Sequence, residues 1–239
     1  VQQSIERPFI FDYSEWVKYC QCAEMNKKIK LDIVSDIVCP WCIVGYTHLE
    51  AAINELGLQD RVEIEWQPFE LNPDMPIQGE NLRAHVLRKY GAKRDDSDKA
   101  RANITSLGAE YGFTFNYFED MKMVNTRQAH VLLDYAHEVG LQHTLKQRLF
   151  AAFFSEHKDI SDREVLLTEA QSVGLDIYAA ELALDDADRL SKVVKQEIQW
   201  QQRGISGVPS VIFNRSSAMT GAHPQSSYHD VLKELAGAS

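Results

Sequence analysis

Two cysteines separated by two residues, Cys39-Pro40-Trp41-Cys42, stand where the hydrophobic pattern of the chain changes period. Before them, Ile29 to Val38 is an apolar, β-branched run of strand length, with Leu31, Ile33, Ile37 and Val38. After them, Val44, Tyr46, Leu49, Ala52, Ile53 and Leu56 recur at helical spacing, and Gly57 supplies a stop. The cysteines are therefore expected at a strand-to-helix junction, with the helix period starting at Ile43. A helix N-terminus presents unpaired N–H groups and a partial positive charge. A thiolate on Cys39 would be stabilised there, which predicts a depressed pKa and an exposed, nucleophilic sulfur. The spacing brings Cys42 one turn later, within reach of Cys39 and deeper in the helix, where it would resolve a mixed disulfide. Pro40 suits the first turn because its missing N–H costs nothing there.

The rest of the chain frames this junction. Val62, Ile64 and Trp66 alternate with Glu63, Glu65 and Gln67, a second strand that runs into Pro68 and the breakers Asn72-Pro73-Asp74-Met75-Pro76. Strand, helix and strand with short connections predict a parallel pair joined by a crossover. From about Asn81 to Gln202 the chain reads as successive helices. Their stripes include Leu82, Val86 and Tyr90; Leu132, Leu133, Ala136 and Val139; Leu145, Leu149, Phe150, Phe153 and Phe154. Asn125-Thr126, Ser161-Asp162 and Asp176 are cap candidates. Strand character returns at Val208 to Phe213. Asn214-Arg215 reads as a turn, Ser217 to Thr220 as the partner strand, and Tyr228, Val231, Leu232 and Leu235 as a final amphipathic helix. The expected organisation is an extension at 1–26, a first α/β part at 27–78, a helical insertion at 79–203 and a second α/β part at 204–239. Met25-Asn26-Lys27-Lys28 resembles a start followed by the lysines that precede a first strand, so the compact domain is expected to begin near Lys28.

Composition narrows the function classes. The chain has 239 residues and a formal charge of −10, which argues against general affinity for nucleic acid or anionic membrane. No apolar run approaches the roughly 20 residues of a membrane helix, and Val1 to Ile10 lacks the basic-then-apolar pattern of a secretory signal. Four cysteines are too few for a disulfide scaffold. Zinc at Cys39 and Cys42 would need a second ligand pair. Cys20-x-Cys22 is tighter than the usual spacing, so no metal is expected.

With Asp32-Ile33-Val34-Ser35-Asp36-Ile37-Val38 before it, Cys39-Pro40-Trp41-Cys42 resembles the DsbA-like thioredoxin-fold proteins, specifically the FrnE-like branch. Trp66-Gln67-Pro68-Phe69-Glu70-Leu71-Asn72-Pro73, Asn125-Thr126 and Gly204-Ile205-Ser206-Gly207-Val208-Pro209-Ser210 agree with that branch, over roughly residues 29–236. The resemblance implies an α/β thioredoxin-like fold with a large helical insertion between a βαβ and a ββα unit. It implies a cis-proline at Pro209 beside the cysteines and a Val208 backbone that pairs with substrate. Trp41 stands where periplasmic DsbA has His, and it offers no cationic donor, so a less oxidising couple than DsbA is expected.

The leading expectation is a cytoplasmic thiol–disulfide oxidoreductase or isomerase. Cys39 and Cys42 are catalytic, while Pro40, Trp41, Val208 and Pro209 contact protein or small-molecule thiols and disulfides. No metal or organic cofactor is required, glutathione or another thiol system recycles the pair, and the chain works as a monomer or homodimer. One alternative is a glutathione-dependent isomerase or transferase like the kappa-class transferases and 2-hydroxychromene-2-carboxylate isomerases. These are similar in fold but typically carry Ser where Cys39 stands, with glutathione as co-substrate. A non-catalytic binding or chaperone module is the third reading.

Other residues carry weaker signals. Cys20 and Cys22 form a second redox pair that exchanges with Cys39 and Cys42, a peripheral metal site, or two passive thiols. His130, Asp134 and His137 share a helix face that reads as solvated or core-bonded before it reads as a metal site. The basic stretch Arg83 to Arg101 is interrupted by Asp95, Asp96 and Asp98, which predicts a solvated face. Phe153 and Phe154 belong to the core or to a groove. Asp36 either tunes a thiol proton or ends a strand at the surface, and Trp66 falls near the motif.

Overall fold

The computed structural model describes residues 28–237. The 1–26 extension and the Cys20-x-Cys22 pair lie outside the described residues. β1 (Ile29–Ser35) leads through α1 (Pro40–Glu55) to β2 (Val62–Pro68). The two strands pair in parallel from Ile29 opposite Val62 to Ser35 opposite Pro68. At the other end of the chain, β5 (Ser210–Phe213) runs antiparallel to β1 and β6 (Ser217–Thr220) antiparallel to β5, which gives the sheet order β2-β1-β5-β6. Asn214 and Arg215 join the last two strands with positive φ, the conformation tight hairpin turns favour.

Between β2 and β5 lie β3 (Glu80–Asn81), α2 (Leu82–Tyr90), α3 (Arg94–Glu110), β4 (Lys122–Met123), α4 (Arg127–Glu138), α5 (Gln142–Phe154), α6 (Arg163–Ser172), α7 (Ile177–Asp185) and α8 (Ala187–Gln202), and α9 (Gln225–Leu235) closes the chain. The Asp162 and Asp176 carboxylates accept backbone N–H bonds at the starts of α6 and α7. At α4 the N-cap is Thr126, but Asn125 Oδ1 accepts the Arg127 N–H. The β3–β4 ladder was invisible to periodicity, because a two-residue pair has no alternation to read.

The sheet separates two sets of side chains. Leu31, Ile33, Val211 and Phe213 join α1 and α9 in the main core. Val34 and Ile212 pack with Phe69, Trp200 and Ile205 in a smaller cluster. The main core continues without a break into Leu132, Leu145, Phe150 and Leu166, so the helical segment shares its core with the sheet. α4 lies at its centre, against α5, α7 and α8. β2 is an edge strand, and the Gln142 amide covers it: Gln142 Oε1 accepts from Trp66 N and Gln142 Nε2 donates to Trp66 O, both at 2.9 Å. A side chain on α5 thus does the work of another strand at that position.

Two boundaries depart from the sequence expectation. β1 ends at Ser35, before Val38, and α1 begins at Pro40, before Ile43. Asp36 to Val38 turn the chain out of the sheet, and the Cys39 N–H donates to Asp36 O at 3.2 Å. Pro40 then opens the helix with Cys39 as its N-cap.

Candidate active site

Cys39 and Cys42 are both free thiols, and they lie within hydrogen-bonding reach of one another. Cys39 is only 4 % exposed, which corrects the expectation of an exposed sulfur, and Cys42 is wholly buried. The little surface that Cys39 shows opens into a cavity, where its Sγ also donates to Val208 O at 3.7 Å. Trp41 is 39 % exposed at the cavity wall beside Pro40. The Val208–Pro209 bond is cis, as the resemblance implies. Pro209 packs against α1 at Gly45, where an added Cβ would stand 3.0 Å from Pro209 Cγ.

The charge on the pair also departs from the helix-terminus argument. The hydrogen bond to Cys42 and burial together hold the Cys39 thiol well above its ordinary pKa. Burial acts on Cys42 in the same sense, but the Cys39 thiol, Ser35 and the buried Lys146 charge outweigh it and bring Cys42 down. Of the two thiols, Cys42 is the one whose surroundings favour the anion.

Behind Cys42 lies a set of buried charges. Lys146 has no exposed surface, and its Nζ, without a hydrogen-bond partner, sits 5.3 Å from the Trp66 ring centre and 4.9 Å from that of Phe150. Burial pulls its pKa down to about 8, against the opposing fields of Cys42, Asp36 and Cys39. Asp36 is buried, not a surface strand end. Its Oδ2 accepts the Leu71 N–H at 2.7 Å, and its Oδ1 lies 3.5 Å from His130 Nε2. Burial pushes Asp36 up, but His130, the Leu71 N–H and Lys146 bring it below the usual range. Leu71 is also gripped through its carbonyl by Lys89 at 2.8 Å, and its neighbour Glu70 is held by Arg127 at 2.8 Å. The segment after β2 is thereby fixed against the site.

Sequence reasoning missed Lys146, and the signal was present. Lys146 falls between Leu145 and Leu149 on a helix face that continues through Phe150 and Phe153, a position where a lysine head group has no way to water. His130, Asp134 and His137 do share a face of α4, but with separate roles: His130 faces Asp36, Asp134 is ion-paired to Arg189 and Lys192, and His137 lies 3.9 Å from Glu65. Among the described residues no group of three or more such side chains is placed to hold a metal ion. Phe153 and Phe154 answer both expectations, being buried core residues that also wall the Cys39 cavity.

A parallel strand–helix–strand unit returning through an antiparallel hairpin, with two cysteines at the crossover helix N-terminus, defines a thioredoxin-like fold. The chain matches the DSBA-like thioredoxin domain over residues 30–233 and belongs to that family. It is 28 % identical over 189 residues to YwbO of Bacillus subtilis (strain 168), itself uncharacterized, which covers 77 % of this chain and 86 % of that one. The crystal structure of the probable DsbA oxidoreductase SCO1869 from Streptomyces coelicolor is similar at a TM-score of 0.82 and 27 % identity, over 88 % of this chain and 91 % of that one. A 2-hydroxychromene-2-carboxylate isomerase shares the fold at a TM-score of 0.63 and 15 % identity, over 88 % of this chain and 99 % of that one. Among the described residues no helix is long and apolar enough to cross a membrane.

Proposed function

We propose that the protein is a thiol–disulfide oxidoreductase or isomerase that works through Cys39 and Cys42. One fold hosts both this chemistry and isomerisation, so the reading must rest on the site. The observation that carries it is the pair itself: two free thiols in contact, one opening into a cavity and the other sealed behind it.

Cys42 has no surface with which to meet a substrate, so Cys39 attacks. As it does, the Cys42 thiolate takes the Cys39 proton across their hydrogen bond. Cys39 forms a mixed disulfide with one substrate sulfur, and the other substrate sulfur leaves. Cys42 then gives up its proton to the departed substrate thiolate and attacks Cys39; the bond from Cys39 to the bound substrate sulfur breaks, that sulfur leaves as a thiolate and is protonated by water, and the internal disulfide closes. Lys146 is placed to favour the negative charge on Cys42 at both stages. Pro40, Trp41, Val208 and Pro209 line or support the place where the substrate sulfur sits. The two sulfurs carry both electrons, so the exchange needs no metal or organic cofactor, and glutathione or another thiol system returns the pair to its working state. The low cysteine usage suits the cytoplasm, where such a pair reduces or isomerises.

Trapping tests this directly. With a disulfide substrate, Cys42→Ser should accumulate a mixed disulfide on Cys39, while Cys39→Ser should trap none. Sustained turnover of a small substrate with glutathione by Cys42→Ser would instead favour the glutathione-dependent isomerase or transferase.

A further inference from the structure

The cavity against Cys39 holds about 430 Å3, within the range of small-molecule sites. Its walls are mainly apolar, with Leu82, Val86, Ile104, Phe153 and Phe154 among the lining residues. Three side chains of the acidic or basic types also line it. Asp96 is exposed, and His85 Nδ1 is engaged by Glu80 at 2.9 Å. The third is Arg101, part of the basic stretch expected to be a solvated face. The structure corrects that expectation at this residue: Arg101 is half-buried, its guanidinium lies 5.2 Å from the Tyr117 ring centre, and its Nη2 is buried with no hydrogen-bond partner.

Asp98 and Glu119, the two carboxylates whose fields reach Arg101, are committed elsewhere. Asp98 accepts from Arg83 at 2.6 Å, and Glu119 accepts from Arg83 and Arg94, each at 3.1 Å. A guanidinium that lines an apolar cavity with one buried N–H unpaired is incompletely satisfied, and an anion in the cavity would offset that cost. Its planar fork matches a carboxylate.

We propose that this cavity takes a small amphipathic dithiol, or its disulfide, carried on an apolar chain that ends in a carboxylate, with the sulfurs at Cys39 and the carboxylate on Arg101. This rests on thiol exchange at Cys39–Cys42 and names its substrate class. Starting from the protein disulfide, one ligand thiolate attacks Cys39; the Cys39–Cys42 bond breaks, and Cys42 leaves as a thiolate that takes up a proton. The second ligand thiol, losing its proton, attacks the first ligand sulfur; the mixed disulfide breaks and Cys39 is released. Two electrons pass from ligand to protein, the ligand closes to a cyclic disulfide, and the reverse reaction follows the same path.

The test uses the full chain, oxidised with excess hydroxyethyl disulfide and freed of reagent. It is then mixed with dihydrolipoate or with dihydrolipoamide, which has the same dithiol and chain but a neutral end. Loss of the internal disulfide is read from the mass of the Cys39–Cys42 peptide after rapid acid quench. The acid should react roughly ten- to a hundredfold faster than the amide, the range of a charge-assisted hydrogen bond. Arg101→Gln should bring the ratio near one, and Arg101→Lys should keep part of the preference. Equal rates for acid and amide in the unaltered protein, or a preference that survives Arg101→Gln, would overturn the substrate class while leaving thiol exchange standing. If hydroxyethyl disulfide forms no Cys39–Cys42 disulfide at all, thiol exchange falls and this inference falls with it.

Discussion

Lys146 holds its Nζ beside the Trp66 and Phe150 rings with no hydrogen-bond partner, and its charge is one of the influences that lower Cys42. Replacing it with methionine keeps the volume and removes a buried cation that lacks a hydrogen bond. Lys146→Met should therefore gain about 1–3 kcal/mol in stability. The same change removes one of the influences that bring Cys42 down, so the first thiol ionisation should move to higher pH and mixed-disulfide formation near neutrality should slow. A thiolate absorbance titration alongside urea unfolding checks both. A more stable variant with an unchanged thiol titration would show that Lys146 does not act on the sulfurs. At this scale the sequence was informative about the nucleophile and poor about its surroundings. The Cys39-x-x-Cys42 spacing is local and legible, whereas the position of Lys146 behind Cys42 depends on how α5 lies across β2. Whether Asp36 is a surface carboxylate or a buried one depends in the same way on the Leu71 N–H, 35 residues along the chain.

Elements with a strong period were legible because a hydrophobic stripe is written in consecutive residues. β1, α1 and β2, the Asp162 and Asp176 caps and the Asn214-Arg215 turn are of this kind. The Leu82, Val86 and Tyr90 stripe was found, but all three side chains line the Cys39 cavity, and a stripe alone cannot say whether it faces core or cavity. α8 is entered from α7 through a single residue, Asp186, whose carboxylate accepts the Asp188 and Arg189 N–H groups. No loop signal separates the two helices. Gly108 in α3 gives a test at the same scale. Glycine to alanine in a helix is ordinarily worth about 1 kcal/mol in favour of alanine. Here the new Cβ would stand 2.6 Å from the Phe115 ring and 2.9 Å from Phe113 O. Gly108→Ala should lose about 1–3 kcal/mol in chemical denaturation through overpacking. A gain would mean that Phe115 moves aside freely.

Across the whole molecule, the fields of Glu70 and Asp36 reach the buried Glu197 on α8. Burial first, then the fields of Glu70 and Asp36, push Glu197 up to about 8, with Arg127 opposing. Its ordinary value is 4.5, so between these limits the folded protein holds a proton that the unfolded chain has lost, and stability falls as pH rises through the window. Glu197→Gln removes that proton. The variant should match the parent near pH 4.5 and exceed it by about 1–3 kcal/mol above pH 8, measured by denaturant midpoints across pH. Equal pH dependence in the two proteins would contradict a Glu197 that is protonated in the folded state.

The central claim is that Cys39 and Cys42 form a reversible two-electron couple. Equilibrating the protein in graded glutathione buffers, trapping free thiols and reading the mass at Cys39–Cys42 measures it. The account predicts one reversible transition between the dithiol and the internal disulfide, at a potential below the about −120 mV of DsbA. A persistent single glutathione adduct on Cys39, with no internal disulfide at any poise, would contradict it.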